Sequence, residues 1–379
     1  MKKKKRKLFA EIADLHRGAG EIPRCPYFGS CGGCLFQDIP YQGQLLLKRD
    51  YLNGIFDGLL SVDEVRPSGP YCYRNRMDMV TAFGKMGLRK PGSYKHVVDI
   101  ESCAIMQERS NDLMKQVRPL IAGVEDYDYL VHSGYLRYVV FRQAAFTGQC
   151  MVNFVVAADD GRIDAVASET ARMADSVSVI LSAGLADLSF GPVLRDVKAG
   201  CIAEEFDGVR FRIAPNSFFQ SNSAVALSMY RRIRECVKGR VLDLYSGVGA
   251  ISLFVAPAAE TVTGVEEVSE AVSMAGHNRD DNGRENVSFV CADVRAYLKE
   301  AAPECDTLIL DPPRSGMHPK VIKRINEMRP ERIIYMSCNP AAFRLELDSL
   351  EGYRVEFFEA YDMFPQTPHV ETLALLERK

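Results

Sequence analysis

Met336-Ser337-Cys338-Asn339-Pro340 follows directly on the apolar run Arg332-Ile333-Ile334-Tyr335. The run reads as a buried strand and Asn-Pro as the turn that ends it. Cys338 is therefore expected at a strand end, where α/β folds place their chemistry. A thiol there is a candidate nucleophile, because a thiolate can form a covalent intermediate. A second group of thiols has a different spacing. Cys25-x5-Cys31-Gly32-Gly33-Cys34 brings three cysteines together with glycines that permit the sharp turns of a metal site. Closed coordination needs a fourth ligand, and Cys72 and Cys103 are the candidates. Spacing alone leaves zinc and iron–sulfur ligation open. The chain has 11 cysteines, an odd number, and no export signal is evident, so a disulfide framework is not expected.

Four further positions share one trait: each closes a run that reads as a strand. Asp243-Leu-Tyr245-Ser-Gly247-Val-Gly249 ends the first with a glycine turn, which lets backbone approach a ligand closely. Glu266 ends the second, where a carboxylate can accept hydrogen bonds from both hydroxyls of a ribose. Asp293 follows the third and is placed to contact adenine. Asp311-Pro312-Pro313-Arg314 closes the fourth. Together they form the pattern of an S-adenosylmethionine-dependent methyltransferase. The extended Gly-x-Gly-x-x-Gly dinucleotide fingerprint is missing, which disfavours NAD.

The methyl acceptor is legible from two positions. Asp-Pro-Pro followed by an aromatic residue is a signature of base-amine methylation, but here the fourth residue is Arg314. Cys338 with the acid of Pro368-His369-Val370-Glu371 offers another chemistry. Carbon 5 of uracil is a poor nucleophile until a thiolate adds to carbon 6. A base must then remove the proton from carbon 5 so that the thiol can leave.

Phe218-Phe219-Gln220-Ser221-Asn222, Asp243 to Gly249, Asp311 to Arg314, Ser337 to Pro340 and Thr367 to Glu371 occur in one order. With them, the chain from residue 25 to its end resembles the RNA uracil-5-methyltransferases. The resemblance implies Cys338 as nucleophile and Glu371 as base. It implies S-adenosylmethionine contacts at Gln220, Tyr245, Gly247, Gly249, Glu266, Asp293 and Asp311. Some members have asparagine where this chain has Ala250. The resemblance also selects Cys103 as the fourth ligand beside Cys25, Cys31 and Cys34, and implies a 4Fe–4S cluster. It further implies a member without the RNA-binding TRAM barrel many relatives carry ahead of the first cluster cysteine. The expected substrate is a uridine of 23S ribosomal RNA, with the T-loop uridine of transfer RNA as the alternative. Base-amine methylation and a non-catalytic RNA-binding role are the more distant readings.

The elements that must position these groups divide in two. Residues 1–24 read as a basic lead-in. Residues 25–213 read as an α+β region of hairpins that carries the metal site and RNA contacts. Within it, Tyr41 to Leu60 has helical periodicity, and Leu136 to Ala145 with Met151 to Ala157 reads as a hairpin. From residue 214 strands and helices alternate, as in a Rossmann-like domain with a mostly parallel sheet. The fold expected is therefore α/β with an α+β region before it.

Residues 1–100 carry 17 Lys+Arg against 10 Asp+Glu, while the chain as a whole has net charge −3. Basic charge concentrated at one end suits a localised phosphate-binding face. Tyr71-Cys-Tyr-Arg74-Asn-Arg76 and Arg89-Lys90-Pro-Gly-Ser-Tyr94-Lys95-His96 mix rings and cations as single-stranded RNA binding requires. No apolar run is long enough to span a bilayer. A monomeric cytoplasmic enzyme with no membrane partner is expected.

Overall fold

Short runs of branched apolar residues alternate with helices through the second half of the chain, and they build one sheet. Its centre is Arg240–Leu244, paired in parallel with Thr261–Glu266 on one side and with Thr307–Leu310 on the other. Val287–Cys291 extends the first side and Arg332–Ser337 the second, again in parallel. The chain thus winds outward, returns, and winds the other way. The carboxyl ends of Arg240–Leu244 and Thr307–Leu310 flank the switch point, where ligands bind in such sheets. The computed structural model describes residues 12–17, 20–301 and 303–379. The basic run Lys2 to Lys7 lies outside them.

Alternation along each strand explains the two cores. Leu242, Leu244, Leu308, Leu310 and Ile333 face one layer of helices. Val241, Ile309, Ile334 and Met336 face the other. Both faces are covered, so the strands are apolar throughout rather than alternately polar.

Beyond Arg332–Ser337 the sheet changes direction. Glu371–Arg378 pairs antiparallel with it, and Tyr353–Tyr361 pairs antiparallel with Glu371–Arg378. The two-residue strand Val65–Arg66 then adds in parallel at the edge, completing eight strands. The sequence reading stopped at the helix beginning near Ala341 and anticipated neither final strand. The expected helix from Tyr41 also belongs here. It spans Tyr41–Phe56 and buries Leu45, Leu52 and Phe56 in the core that holds Tyr335 and Phe343. It stops short of Leu60 because Asp57 and Gly58 turn left-handed, at φ of 45° and 78°. Residues 41–66 therefore pack on the C-terminal sheet, although the chain leaves it afterwards.

The intervening residues form a seven-stranded sheet in the order Val193–Lys198, Ser176–Leu181, Cys150–Val156, Leu136–Gln143, Arg76–Ala82, Lys85–Arg89 and Val97–Asp99. All its pairings are antiparallel except Cys150–Val156 with Ser176–Leu181. Leu136–Gln143 and Cys150–Val156 form the expected hairpin, slightly shortened. Glu108–Ile121, a helix absent from the sequence reading, buries Leu113, Met114 and Val117 against this sheet. An aromatic cluster of Phe206, Phe211, Phe219, Tyr230 and Phe254 packs the following hairpin onto the C-terminal layers. Among the described residues no helix is long and apolar enough to cross a membrane.

Candidate active site

Cys338 and Glu371 meet because of strand register. Arg332–Ser337 and Glu371–Arg378 run antiparallel with Ser337 opposite Thr372. The pairing ends there: Cys338 follows Ser337 and Glu371 precedes Thr372, so both flank the last pair, near enough for the Glu371 charge to act on the thiol. The hydroxyl of Thr372 donates to the Ser337 carbonyl at 3.2 Å and holds this end of the pair together. The Ser337 hydroxyl accepts from the Asn339 N–H at 3.1 Å, and the Asn339 amide donates to the Arg314 carbonyl at 2.8 Å. The turn carrying the thiol is thereby tied to the turn carrying Arg314.

The electrostatics of this group are unusual. Burial pushes the Cys338 thiol up to about 11, with the Glu371 and Asp311 carboxylates adding to the shift and Arg314 opposing it. Glu371 is buried and its carboxyl is raised well above the ordinary glutamate range, first by desolvation and then by Asp311, again against Arg314. Desolvation raises Asp311 to about 7. Arg314 is thus the cation that opposes both shifts, at the Cys338 thiol and at the Glu371 carboxyl. Sequence reasoning used it only to weaken a rival chemistry. The signal was its place in the Asp-Pro-Pro turn, beside a strand end already assigned a ligand role.

Two cavities adjoin this group at the carboxyl ends of the strands. Tyr245, Glu266, Asp293, Arg295 and Gly316 line one. Phe218, Gln220, Tyr245, Gly247 and Asp311 line the other. Tyr245 lines both, and its backbone sits at φ 67°, a strained value for a residue with a Cβ. Glu266 accepts from the N–H groups of Gly247 at 3.1 Å and Val268 at 2.9 Å. A carboxylate has capacity for further donors, so hydroxyl groups of a ligand remain acceptable partners. Asp293 caps the helix Val294–Glu300 and pairs with Arg295, which together hold its carboxyl below the usual range. Gln220 donates to Asp311 at 3.4 Å. Gly249 lines neither cavity. A Cβ there would lie 2.5 Å from the Phe289 ring, so this glycine serves close packing. Phe218, 68% exposed, is a further site residue that the sequence reading quoted without assigning a role.

The four cysteines Cys25, Cys31, Cys34 and Cys103 line one cavity, with Leu88, Ile100 and Ile105. Cys72, the alternative fourth ligand, is elsewhere: its thiol donates to the Ala104 carbonyl. Among the described residues no three His, Cys, Asp or Glu side chains form a group that could hold a metal ion. The local structure nevertheless places two hydrogen-bonding groups against these thiols. The Gly33 N–H donates to the Cys31 sulfur at 3.3 Å, and the Gln37 side chain accepts from the Cys25 N–H at 2.9 Å while its amide faces the Cys34 thiol. Gly32 must be glycine, since a Cβ would lie 2.9 Å from the Arg89 carbonyl.

The cysteine loop reaches the active-site strand pair directly. The N–H groups of Leu35 and Phe36 donate to the Gln366 carbonyl, five residues before Glu371. Gln366 exchanges two hydrogen bonds with Gln44, and Lys48 forms a fully buried ion pair with Asp362. The segment leading into Glu371 is held from three sides.

One consequence is measurable in the ligand-free protein. A thiolate, not a thiol, is alkylated. Iodoacetamide labelling of Cys338, followed by peptide mass spectrometry, should keep accelerating until pH approaches about 11. Arg314→Leu should slow it several-fold at any lower pH, because the cation opposing the shift is gone.

A family model described as tRNA (Uracil-5-)-methyltransferase matches residues 205–379. A tRNA (uracil(54)-C(5))-methyltransferase of Pyrococcus furiosus is 37% identical over 359 residues, covering 94% of this chain and 85% of the relative. An uncharacterized RNA methyltransferase of Thermotoga maritima is 35% identical, with 93% and 84% covered. The crystal structure of Pyrococcus abyssi tRNA (uracil-54, C5)-methyltransferase in complex with S-adenosyl-L-homocysteine superposes with a TM-score of 0.82 at 33% identity, covering 91% of this chain and 84% of that one.

Proposed function

This chain belongs to the tRNA (uracil-5-)-methyltransferase family and is an S-adenosylmethionine-dependent RNA uracil-C5 methyltransferase; we propose that its substrate is the T-loop uridine of transfer RNA. The reading made from sequence put 23S ribosomal RNA first, and that preference is withdrawn. The two Pyrococcus relatives described above are named for uracil 54 of tRNA, and that naming supports the tRNA reading. The register that brings Cys338 and Glu371 to the same end of their paired strands is the observation that carries the mechanism.

In that mechanism the Cys338 thiolate adds to carbon 6 of uracil, and the electron pair of the 5,6 double bond moves into an enolate. Carbon 5 attacks the methyl group of the sulfonium, whose sulfur leaves with the bonding pair as the neutral thioether. The Glu371 carboxylate then takes the proton from carbon 5, the double bond re-forms, and Cys338 departs as thiolate. When bound, S-adenosylmethionine supplies the methyl group and a positive charge. Gln220, Tyr245, Glu266, Asp293 and Asp311, with Gly247, hold its place in the two cavities. Arg314 favours the thiolate of Cys338. A raised carboxyl suits Glu371, because a stronger base removes a carbon-bound proton more readily.

Cys25, Cys31, Cys34 and Cys103 would hold a 4Fe–4S cluster. The four thiols line one cavity, and four cysteine thiolates are the ligand set of such a cluster. Methyl transfer consumes no electrons, so the cluster would supply a cross-link through the loop that supports Gln366. Protein purified without oxygen should contain iron and sulfide and absorb near ~400 nm, and Cys103→Ser should lower its iron content. A colourless, zinc-loaded protein would reject the cluster.

The substrate is tested with unmodified tRNA and 23S ribosomal RNA transcripts and labelled methyl donor. Incorporation at the T-loop uridine is expected. Incorporation confined to ribosomal RNA would restore the preference withdrawn above.

A further inference from the structure

Arg137 is fully buried, and it is spent on a loop. Its guanidinium lies 4.4 Å from the Tyr127 ring and 5.6 Å from that of Tyr129. Its Nη1 donates to the carbonyls of Ser182 and Gly184, and its Nη2 to that of Ala186, each at 2.6 Å. Burying a cation is costly unless its donors are paired, and here both Nη groups are paired with carbonyls of residues 182–186 while Nε has no partner. Four more hydrogen bonds fix the same loop. Asp187 accepts from Arg89 and Tyr138, Ser189 donates to Asp78, and the Asn216 amide donates to the Gly191 carbonyl.

What this rigid loop presents is apolar. Leu185 is 70% exposed and Phe190 53%. Such side chains on a fixed frame mark a contact surface, and the position of the frame says for what. Asn216 is two residues from Phe218, the exposed ring of the second cofactor-side cavity. On its other side Asp187 ties the loop to Arg89, which begins the segment carrying Lys90, Tyr94 and Lys95. Lys90 and Lys95 have no ion-pair partner among the described residues. The ties through Arg89 and Asn216 join the segment of Lys90, Tyr94 and Lys95, the loop carrying Phe190, and the turn before Phe218.

We infer that the loop 182–191 is a base-stacking wall for the RNA strand flanking the target uridine, with Phe190 as its principal contact and Lys90 and Lys95 holding phosphates. The inference rests on the RNA-substrate reading above. A base reaches the Cys338 thiol only when it leaves its stack, and the neighbours it leaves behind need new faces to stack on. A wall already fixed by Arg137 offers those faces without ordering cost at the moment of binding.

The test uses the full chain with an unmodified tRNA transcript, measuring equilibrium binding across a salt series beside cofactor affinity. Phe190→Ala should weaken tRNA binding about tenfold, within the range for loss of one stacked base, and leave the slope of log K against log salt unchanged. Phe190→Trp should retain binding. The double change Lys90→Ala with Lys95→Ala should instead flatten that slope by roughly one to two. Leu185→Ser, at an exposed position, serves if Phe190→Ala loses cofactor affinity through misfolding, and should weaken tRNA binding in the same salt-independent way. Wild-type affinity in both Phe190→Ala and Leu185→Ser, in a protein that does methylate the transcript, would overturn the wall alone. A wild-type protein that neither binds nor methylates the tRNA would instead remove the RNA reading beneath it.

Discussion

Cys338→Ala should abolish methylation, lowering turnover by more than about 10⁴-fold, the scale of losses when a covalent nucleophile is removed. No other group in the site can take over. Asp311 and Glu371 are oxygen acids without the thiolate's affinity for carbon 6. Uracil carbon 5 is then left as an unactivated carbon. The fold should tolerate the change, since Cys338 is only partly buried at the end of its strand. Binding of S-adenosylmethionine and of tRNA should therefore persist, and their measurement separates lost chemistry from lost structure.

Glu371→Gln should produce a different failure. The thiolate can still add and carbon 5 can still take the methyl group, but the proton on carbon 5 has no acceptor. Methyl incorporation should stop after about one equivalent of enzyme, with protein and RNA joined on a denaturing gel. Steady-state turnover should fall by about 10²–10⁴-fold, the usual contribution of a positioned general base. Stability should move the other way. Burial raises the Glu371 carboxyl in the folded protein, so its contribution to stability is full below its unfolded value and is lost as pH rises through the folded one. Glutamine has no such loss. The melting temperature of Glu371→Gln should therefore gain on that of the wild-type protein as pH rises. Wild-type turnover in this variant would remove Glu371 from the mechanism.

The alternation of strands and helices from Arg240 to Leu347 was readable because each element carries its own period and ends on its own turn residues. The cofactor side of the site follows from that alternation, since its groups sit at successive strand ends. The proximity of Cys338 and Glu371 was not readable in the same way. It depends on two antiparallel strands, Tyr353–Tyr361 and Glu371–Arg378, in a region otherwise winding in parallel. Tyr353 to Tyr361 mixes Arg354, Glu356 and Glu359 with aromatic residues, as suits a strand near a sheet edge, and carries no clean alternation. Helix Glu108–Ile121 was hidden by its polar composition and by Pro119 near its end. Gly249 packs against the Phe289 ring, a role that a glycine turn's sequence does not distinguish from a ligand contact. The return of Tyr41–Phe56 to the C-terminal sheet is a long-range contact that no local pattern specifies. That contact brings Gln44 and Lys48 to Gln366 and Asp362, and so supports the segment entering Glu371.

A tRNA containing 5-fluorouridine at the T-loop target tests the covalent mechanism most directly, because fluorine at carbon 5 cannot leave as a proton. Wild-type protein with S-adenosylmethionine should give a stable protein–RNA adduct. Peptide mass spectrometry should locate it at Cys338, with the methyl group already on the base, and Cys338→Ala should give none. An adduct on another residue, or methylated RNA with no adduct at all, would contradict the assignment of Cys338 as nucleophile.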